Sequence, residues 1–205
     1  ITGALTLTTT DTLRDAVVMQ ASSEFSQRYP NTQVNLLCSN QQLDLARMEA
    51  DLTIKPAFSL PRDLSGEYVC DLGFRAYASE AYLNGWNSRE LNQFQWLGLS
   101  GRLVGAPFND WIDNYISDKN LVMRADSFIS LLGAVNSGLG VAFLPCCLAE
   151  REDQLEQVAS IEEYFSTRLW IATHKDLAQS QKLKIATNHF LEALQKERNR
   201  LEGLS

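Results

Sequence analysis

Apolar positions along the chain follow two rhythms in alternation, and their order predicts an α/β protein. Ala4–Thr8 reads as a strand and leads through Thr9-Thr10-Asp11-Thr12 into a helix. From Thr12 to Tyr29, Leu13, Val17, Ala21 and Phe25 recur every four residues, with Arg14, Gln20, Glu24 and Arg28 between them. Thr12-Leu13-Arg14-Asp15 fits a loose capping box, and Pro30-Asn31 ends the helix. Val34–Cys38 predicts a short buried strand, and Ser39-Asn40 leads to a short helix near Leu43–Met48. Ala50–Ile54 is a third strand, broken by Lys55-Pro56. This β-α-β-α-β order implies parallel strands joined by right-handed crossovers.

Further strands are expected over Glu67–Ala78, Gln95–Leu99, Leu121–Arg124, Val141–Leu144 and Arg168–Thr173. Ser79–Leu83 reads as a capped helical turn and Asp110–Ile116 as a short helix. Phe128, Leu131, Leu132 and Val135 share one face of a helix, and Gly138 stands where a C-cap needs positive φ. A closing helix from Gln181 to about Arg200 turns Leu183, Ala186, Phe190 and Leu194 inward. Its Lys196-Glu197-Arg198 run is a solvated face.

One device occurs twice. Ala4–Thr8 and Leu121–Arg124 each run through a cap-rich turn into a helix N-terminus, the way an open α/β sheet builds a small-ligand site. Two half-sites without a catalytic group suggest a protein that closes on a small molecule.

Composition narrows the choices. The 205 residues suffice for one large domain or two small ones. A net charge of −7 argues against nucleic-acid binding by this chain alone. No apolar run approaches the ~20 residues of a membrane span. Ile1-Thr2-Gly3-Ala4 shows no secretory leader pattern, and the absent initiator Met means that either something was removed before Ile1 or this is a fragment of a longer protein. Cys38, Cys70, Cys146 and Cys147 lack metal-ligand spacing. Cys38 and Cys146 lie in or beside apolar strands, where a reduced thiol is a small hydrophobe, so a reducing, cytoplasmic setting is expected.

The search for catalysis is negative. Gly98-Leu99-Ser100-Gly101-Arg102 is no nucleophile elbow, and His189 with Glu192 reads as a surface pair. No cofactor or metal is expected.

Several motifs in order resemble the effector-binding domain of LysR-type transcriptional regulators. They are Phe25-x-x-Arg28-Tyr29-Pro30, Val34-x-Leu36, Leu45 with Ala50–Ile54, Ala76–Leu83, and Ser137-Gly138-Leu139-Gly140-Val141 through Pro145. The resemblance implies a type 2 periplasmic-binding-protein fold, two Rossmann-like lobes joined by two hinge strands. The first lobe would comprise residues 1–73 and 174–205, the second 74–173, with Glu67–Ala78 and Arg168–Thr173 as hinges. It implies a small-molecule effector in the interlobe cleft, a homodimer or homotetramer, no membrane, and DNA contact only through a winged helix-turn-helix absent from this chain. Paired helices Thr12–Tyr29 and Ser127–Asn136, with Val18 and Ile129 exposed, would form the subunit contact. The fold alternative is the solute-binding protein of a transport system, and a small α/β enzyme is a third reading. Peroxide-sensing relatives need two cysteines near Ser100–Trp111, and this stretch has none.

Each candidate site residue has two readings. Thr10 and Thr12 either cap the first helix or face ligand, with Thr12 at the family's usual contact position. Cys38 and Ser39 either end a strand or line the cleft. Lys55 is either solvated or the partner of an anionic effector. Ser100, Gly101 and Arg102 occupy a second-lobe loop that resembles the family's ligand-touching loops. Asp126 and Ser127 are N-cap candidates whose helix amides favour an anion, and Phe128 is either core or a ligand stacker.

Overall fold

In this computed structural model, residues 1–40, 50–86 and 90–204 are described, without the side chains of Arg102 and Val104. The helix expected near Leu43–Met48, and Leu45 with it, lies outside the described residues. The chain divides into two compact units: Ile1–Asp71 with Thr167–Asn199, and Leu72–Ser166 with Arg200–Ser205. The sequence reading assigns all of 174–205 to the first lobe. The structure groups Arg200–Ser205 with the second unit, where the Tyr164 hydroxyl donates to the Glu202 carbonyl at 2.8 Å and Leu201 is buried.

In the first unit, β1 (Gly3–Thr9) is parallel to β2 (Thr32–Cys38) on one side and to β3 (Leu52–Pro56) on the other. Leu5, Leu7, Leu52 and Ile54 are fully buried, as expected of parallel strands covered by helices. β3 runs through Lys55 to Pro56 instead of breaking before them. Proline is tolerated as the last strand residue, and Ala57 N–H resumes the ladder by donating to Arg168 O. The order continues from β3 to β9 (Phe165–His174) and β4 (Leu64–Ser79), the long strands along which the chain passes between units.

The first helix departs from a single α-helix. A short α turn, α1 (Asp11–Leu13), is followed by a π segment, Arg14–Val18, and then α2 (Met19–Arg28). The Met19 amide donates to the Arg14 carbonyl, five residues back. The extra residue in that turn lets Val17 and Val18 both point inward and leaves Met19 exposed. Val18 is therefore core and not the exposed contact residue expected from the sequence.

In the second unit, β5 (Trp96–Leu99) and β6 (Leu121–Ala125) pair in parallel, and Trp96 bridges to Val141. β7 (Ala142–Pro145) and β8 (Leu155–Gln157) each pair antiparallel with β4. Around them lie α3 (Glu80–Asn84), α4 (Asn109–Tyr115), α5 (Phe128–Asn136) and α6 (Cys146–Ala149). Ser79 caps α3, and Gly138 follows α5 at φ 75°, as the sequence predicts.

The closing helix α7 (Gln181–Lys196) buries Leu183, Ala186, Phe190 and Leu194, and a separate turn, α8 (Arg198–Glu202), follows it. His189 is not a plain surface residue. Its Nε2 lies 2.8 Å from the Ala21 carbonyl and its ring meets Phe25 edge-on, tying α7 to α2. Phe25 also contacts Phe190 and Tyr29, which makes it the hub of this layer. Phe25→Ala should therefore cost about 3–5 kcal/mol, read as a lowered urea midpoint, with a loss below 1 kcal/mol contradicting the packing role.

Candidate functional site

The C-terminal ends of the parallel strands collect the polar residues of the first unit. Thr9 pairs in register with Cys38 and with Ile54, so β1 and β2 end level and β3 runs two residues further. Thr9 Oγ1 donates to Ile54 O at 2.9 Å, and Ser39 N–H donates to Thr9 O at 2.9 Å. Thr10 is the N-cap of α1, its hydroxyl accepting from Leu13 N–H at 3.2 Å. The expected capping box at Thr12 is thus displaced by two residues. Thr12 is the second helical residue, 2% exposed, and its amide donates to the Asp11 carboxylate at 2.7 Å.

Asp11 also accepts from Asn40 Nδ2 at 3.1 Å, while the Asp11 amide donates to Asn40 Oδ1 at 3.4 Å. A built-in carboxylate therefore already sits at the helix start, where the backbone amides favour negative charge.

Cys38 is exposed, contrary to the small-hydrophobe expectation, because β2 is the edge strand and Cys38 its last residue. The Arg14 Nε donates to Asp15 Oδ1 at 2.6 Å, and the guanidinium interacts electrostatically with Cys38. Lys55 is 5% exposed, not solvated, and interacts electrostatically with Cys38. Desolvation pulls the Lys55 pKa below its ordinary 10.5. The charged form therefore costs folding free energy below the lowered value, and stability rises with pH from there toward 10.5.

In the second unit the ends of β5 and β6 adjoin, Leu99 pairing with Ala125 and Ser100 N–H donating to Ala125 O at 2.8 Å. Gly101 has φ 59°, and a Cβ there would stand 3.3 Å from Asp126 Cβ, so this tight turn brings Ser100, Gly101 and Asp126 together. Ser127, not Asp126, caps α5: its backbone is extended and its hydroxyl accepts from Ser130 N–H at 3.3 Å. Phe128 is 6% exposed and packs against Phe74 and Phe108, which places it in the core of this unit. The side chain of Arg102 lies outside the described residues.

Within their own units the structure thus brings together Thr10, Cys38 and Ser39, and separately Ser100, Gly101, Asp126 and Ser127. Sequence reasoning missed Asp11, Arg14 and Asn40. Asn40 had a signal, since it directly follows Ser39 at a strand end; Arg14 had none, because its place depends on the π segment. Among the described residues, no group of three His, Cys, Asp or Glu side chains is arranged to hold a metal ion. No described helix is long and apolar enough to cross a membrane.

The family model described as the LysR substrate binding domain matches residues 1–198. The chain belongs to that family. It is the effector-binding regulatory domain of a LysR-type transcriptional regulator, a family of sensors and not of enzymes. Its fold is similar to the CrgA regulatory domain of Neisseria meningitidis, with a TM-score of 0.79 at 19% identity over 95% of this chain and 100% of that one. It is also similar to the AmpR effector binding domain from Citrobacter freundii, with a TM-score of 0.75 at 18% identity, covering 95% of this chain and 99% of that one. In sequence it is 24% identical over 144 residues to the HTH-type transcriptional regulator PtxR of Pseudomonas aeruginosa, covering 66% of this chain and 45% of PtxR. The chain thus spans about half the length of that curated relative.

The four thiols of this LysR-type domain differ sharply in access. Cys38 is exposed, Cys70, Cys146 and Cys147 are buried, and burial pushes the Cys147 pKa up to about 12. Iodoacetamide at neutral pH should label Cys38 alone in the native chain and all four after unfolding. Native labelling of Cys146 or Cys147 would contradict their assigned burial.

Proposed function

We propose that this domain binds a small polar or anionic effector in a cleft between its two lobes and thereby controls the geometry of a DNA-bound oligomer. The observation that carries the reading is the duplicated device. Each unit ends parallel strands at a polar turn and starts a helix there, with hydroxyls and amides gathered at the strand ends. In open α/β sheets this is where ligands bind.

Thr10, Thr12, Cys38, Ser39 and Lys55 would contribute from one lobe, and Ser100, Gly101, Arg102, Asp126 and Ser127 from the other. Thr10 and Ser127 serve as caps and shape the site through the backbone. Ser39 and Ser100, both half-buried, are the direct contacts. DNA binding belongs to a segment of the regulator outside this chain, and self-association of effector domains relays the signal. Met19, exposed on the first helix, takes the place of Val18 in that subunit contact.

Thermal-shift screening of small organic acids tests the reading. A ligand at a hundredfold excess over Kd should add roughly 2.7 kcal/mol of stability. Ser39→Phe and Ser100→Phe should each weaken the same ligand at least about tenfold, or about 1.4 kcal/mol, while the ligand-free melting temperatures stay near wild type. A ligand lost in one variant and unaffected in the other would show that it does not touch both lobes.

A further inference from the structure

The turn that follows β2 is tied to the start of α1 by three hydrogen bonds. Ser39 N–H donates to Thr9 O at 2.9 Å and so carries the contact with β1 one residue past Cys38. Asn40 then turns its side-chain amide onto Asp11. Its Oδ1 accepts from the Asp11 backbone N–H at 3.4 Å, and its Nδ2 donates to Asp11 Oδ2 at 3.1 Å. The other carboxylate oxygen, Asp11 Oδ1, accepts from Thr12 N–H at 2.7 Å.

One side chain thus meets both a donor and an acceptor of the same distant residue. Only one orientation of the Asn40 amide fits, with its oxygen toward the N–H and its nitrogen toward the carboxylate. An ionised aspartate could not donate there, and alanine could do neither. Ser39 lies between two anchors: its own amide is held by Thr9, and the residue after it is held by Asp11.

We propose that Asn40 is a positioning residue: paired with Asp11, it holds Ser39 at the ends of β1 and β2. The inference rests on the effector-binding reading above and deepens it, since Ser39 is the first-lobe contact and Asn40 acts through it. Among the described strands β2 pairs with β1 alone, so the chain leaves the sheet with a neighbour on one side. Backbone leaving such an edge opens locally unless it is tied down. The tie here is an amide-to-carboxylate hydrogen bond, which the charge on Asp11 makes stronger than a neutral one.

Exchanging the two residues tests the pair without altering the net charge. Amide exchange at Ser39, followed by NMR and expressed as protection, compares the whole wild-type chain with Asn40→Asp, Asp11→Asn and the double variant. Asn40→Asp sets two carboxylates against each other, and Asp11→Asn sets two NH2 groups against each other. Each should lower protection at Ser39 at least about tenfold at neutral pH, with the melting temperature near wild type. In the double variant the carboxylate at position 40 accepts from the backbone N–H of position 11 and from the new amide there, whose oxygen can still accept from Thr12 N–H. Protection should return to within about twofold of wild type.

A pH series separates this pairing from general loosening. In Asn40→Asp one of the facing carboxyls should titrate above the ordinary carboxylate range, because two adjacent carboxylates do not both ionise readily. Acidification through that range should restore Ser39 protection in Asn40→Asp and not in Asp11→Asn. Arg14, Asp15, Cys38 and Lys55, the other charged and titratable groups on the flanking elements, are common to all four chains. If Asn40→Asp does not fold, Asn40→Ala, which adds no charge, replaces it and should lose the same protection.

The proposal is overturned if a folded single variant protects Ser39 as wild type does, or if the double variant stays as open as the single ones. Thermal shifts with acetate, succinate and benzoate separate it from the reading it rests on. An acid that stabilises wild type and the double variant more than either single variant supports both. An acid that stabilises all four chains alike sinks the positioning role and leaves the effector reading. If Ser39 follows the exchange pattern while none of the acids stabilises wild type, the hold on Ser39 stands and the preference for an organic acid fails.

Discussion

The parallel registration of β1 between β2 and β3 is the constraint on which the first unit depends. Thr9 stands level with Cys38 on one side and Ile54 on the other, so β1 and β2 release the chain together and β3 two residues later, after Pro56. Side-chain bonds lock the register as well as the backbone ladder does. Thr9 Oγ1 holds Ile54 O at 2.9 Å, and Asp51 Oδ2 accepts from Thr6 N–H at 2.8 Å while Asp51 N–H returns to Thr6 O at 2.8 Å. A slip of one residue would turn Leu5 and Leu7 out of the core and Thr6 and Thr8 into it. The polar positions Thr10 and Ser39, just past the ends of β1 and β2, are therefore a consequence of apolar packing further down the same strands.

The second unit reaches a similar turn with fewer strands. β5 and β6 end together at Leu99 and Ala125, and the positive φ of Gly101 folds the following loop against Asp126. The support beneath is aromatic: Phe74, Phe108, Phe128 and Phe143 form a connected group of ring contacts. Phe128 belongs to that support. A helix that starts at a polar turn and packs on a sheet gives its first large apolar side chain to the core.

Much of this was legible in the sequence where local pattern and final environment agree. The inward residues of α7 follow helical spacing, and Gly138 stands at a position only a φ-positive residue fills comfortably. What escaped depends on neighbours distant in the chain. No residue code announces the π segment, so Val18 reads as surface and Arg14 as an ordinary helix charge. Cys38 reads as buried because an edge strand and a central strand share one local pattern. Lys55 reads as solvated because the β3–β9 pairing that covers it joins segments more than a hundred residues apart. The candidate site follows the same rule: hydroxyls at strand ends are visible in one dimension, whereas caps and contacts are sorted only by the fold. That sorting makes Thr10 and Ser127 caps and draws in Asp11 and Asn40.

The central claim is that the strand ends of both units hold one effector. Amide hydrogen exchange of the chain, with and without a saturating bound acid, tests it most directly. Protection should rise around Ser39 and Asn40 in the first unit and around Ser100, Gly101 and Ser127 in the second. Protection confined to one unit, or centred on the outer faces of α2 and α7, would contradict it.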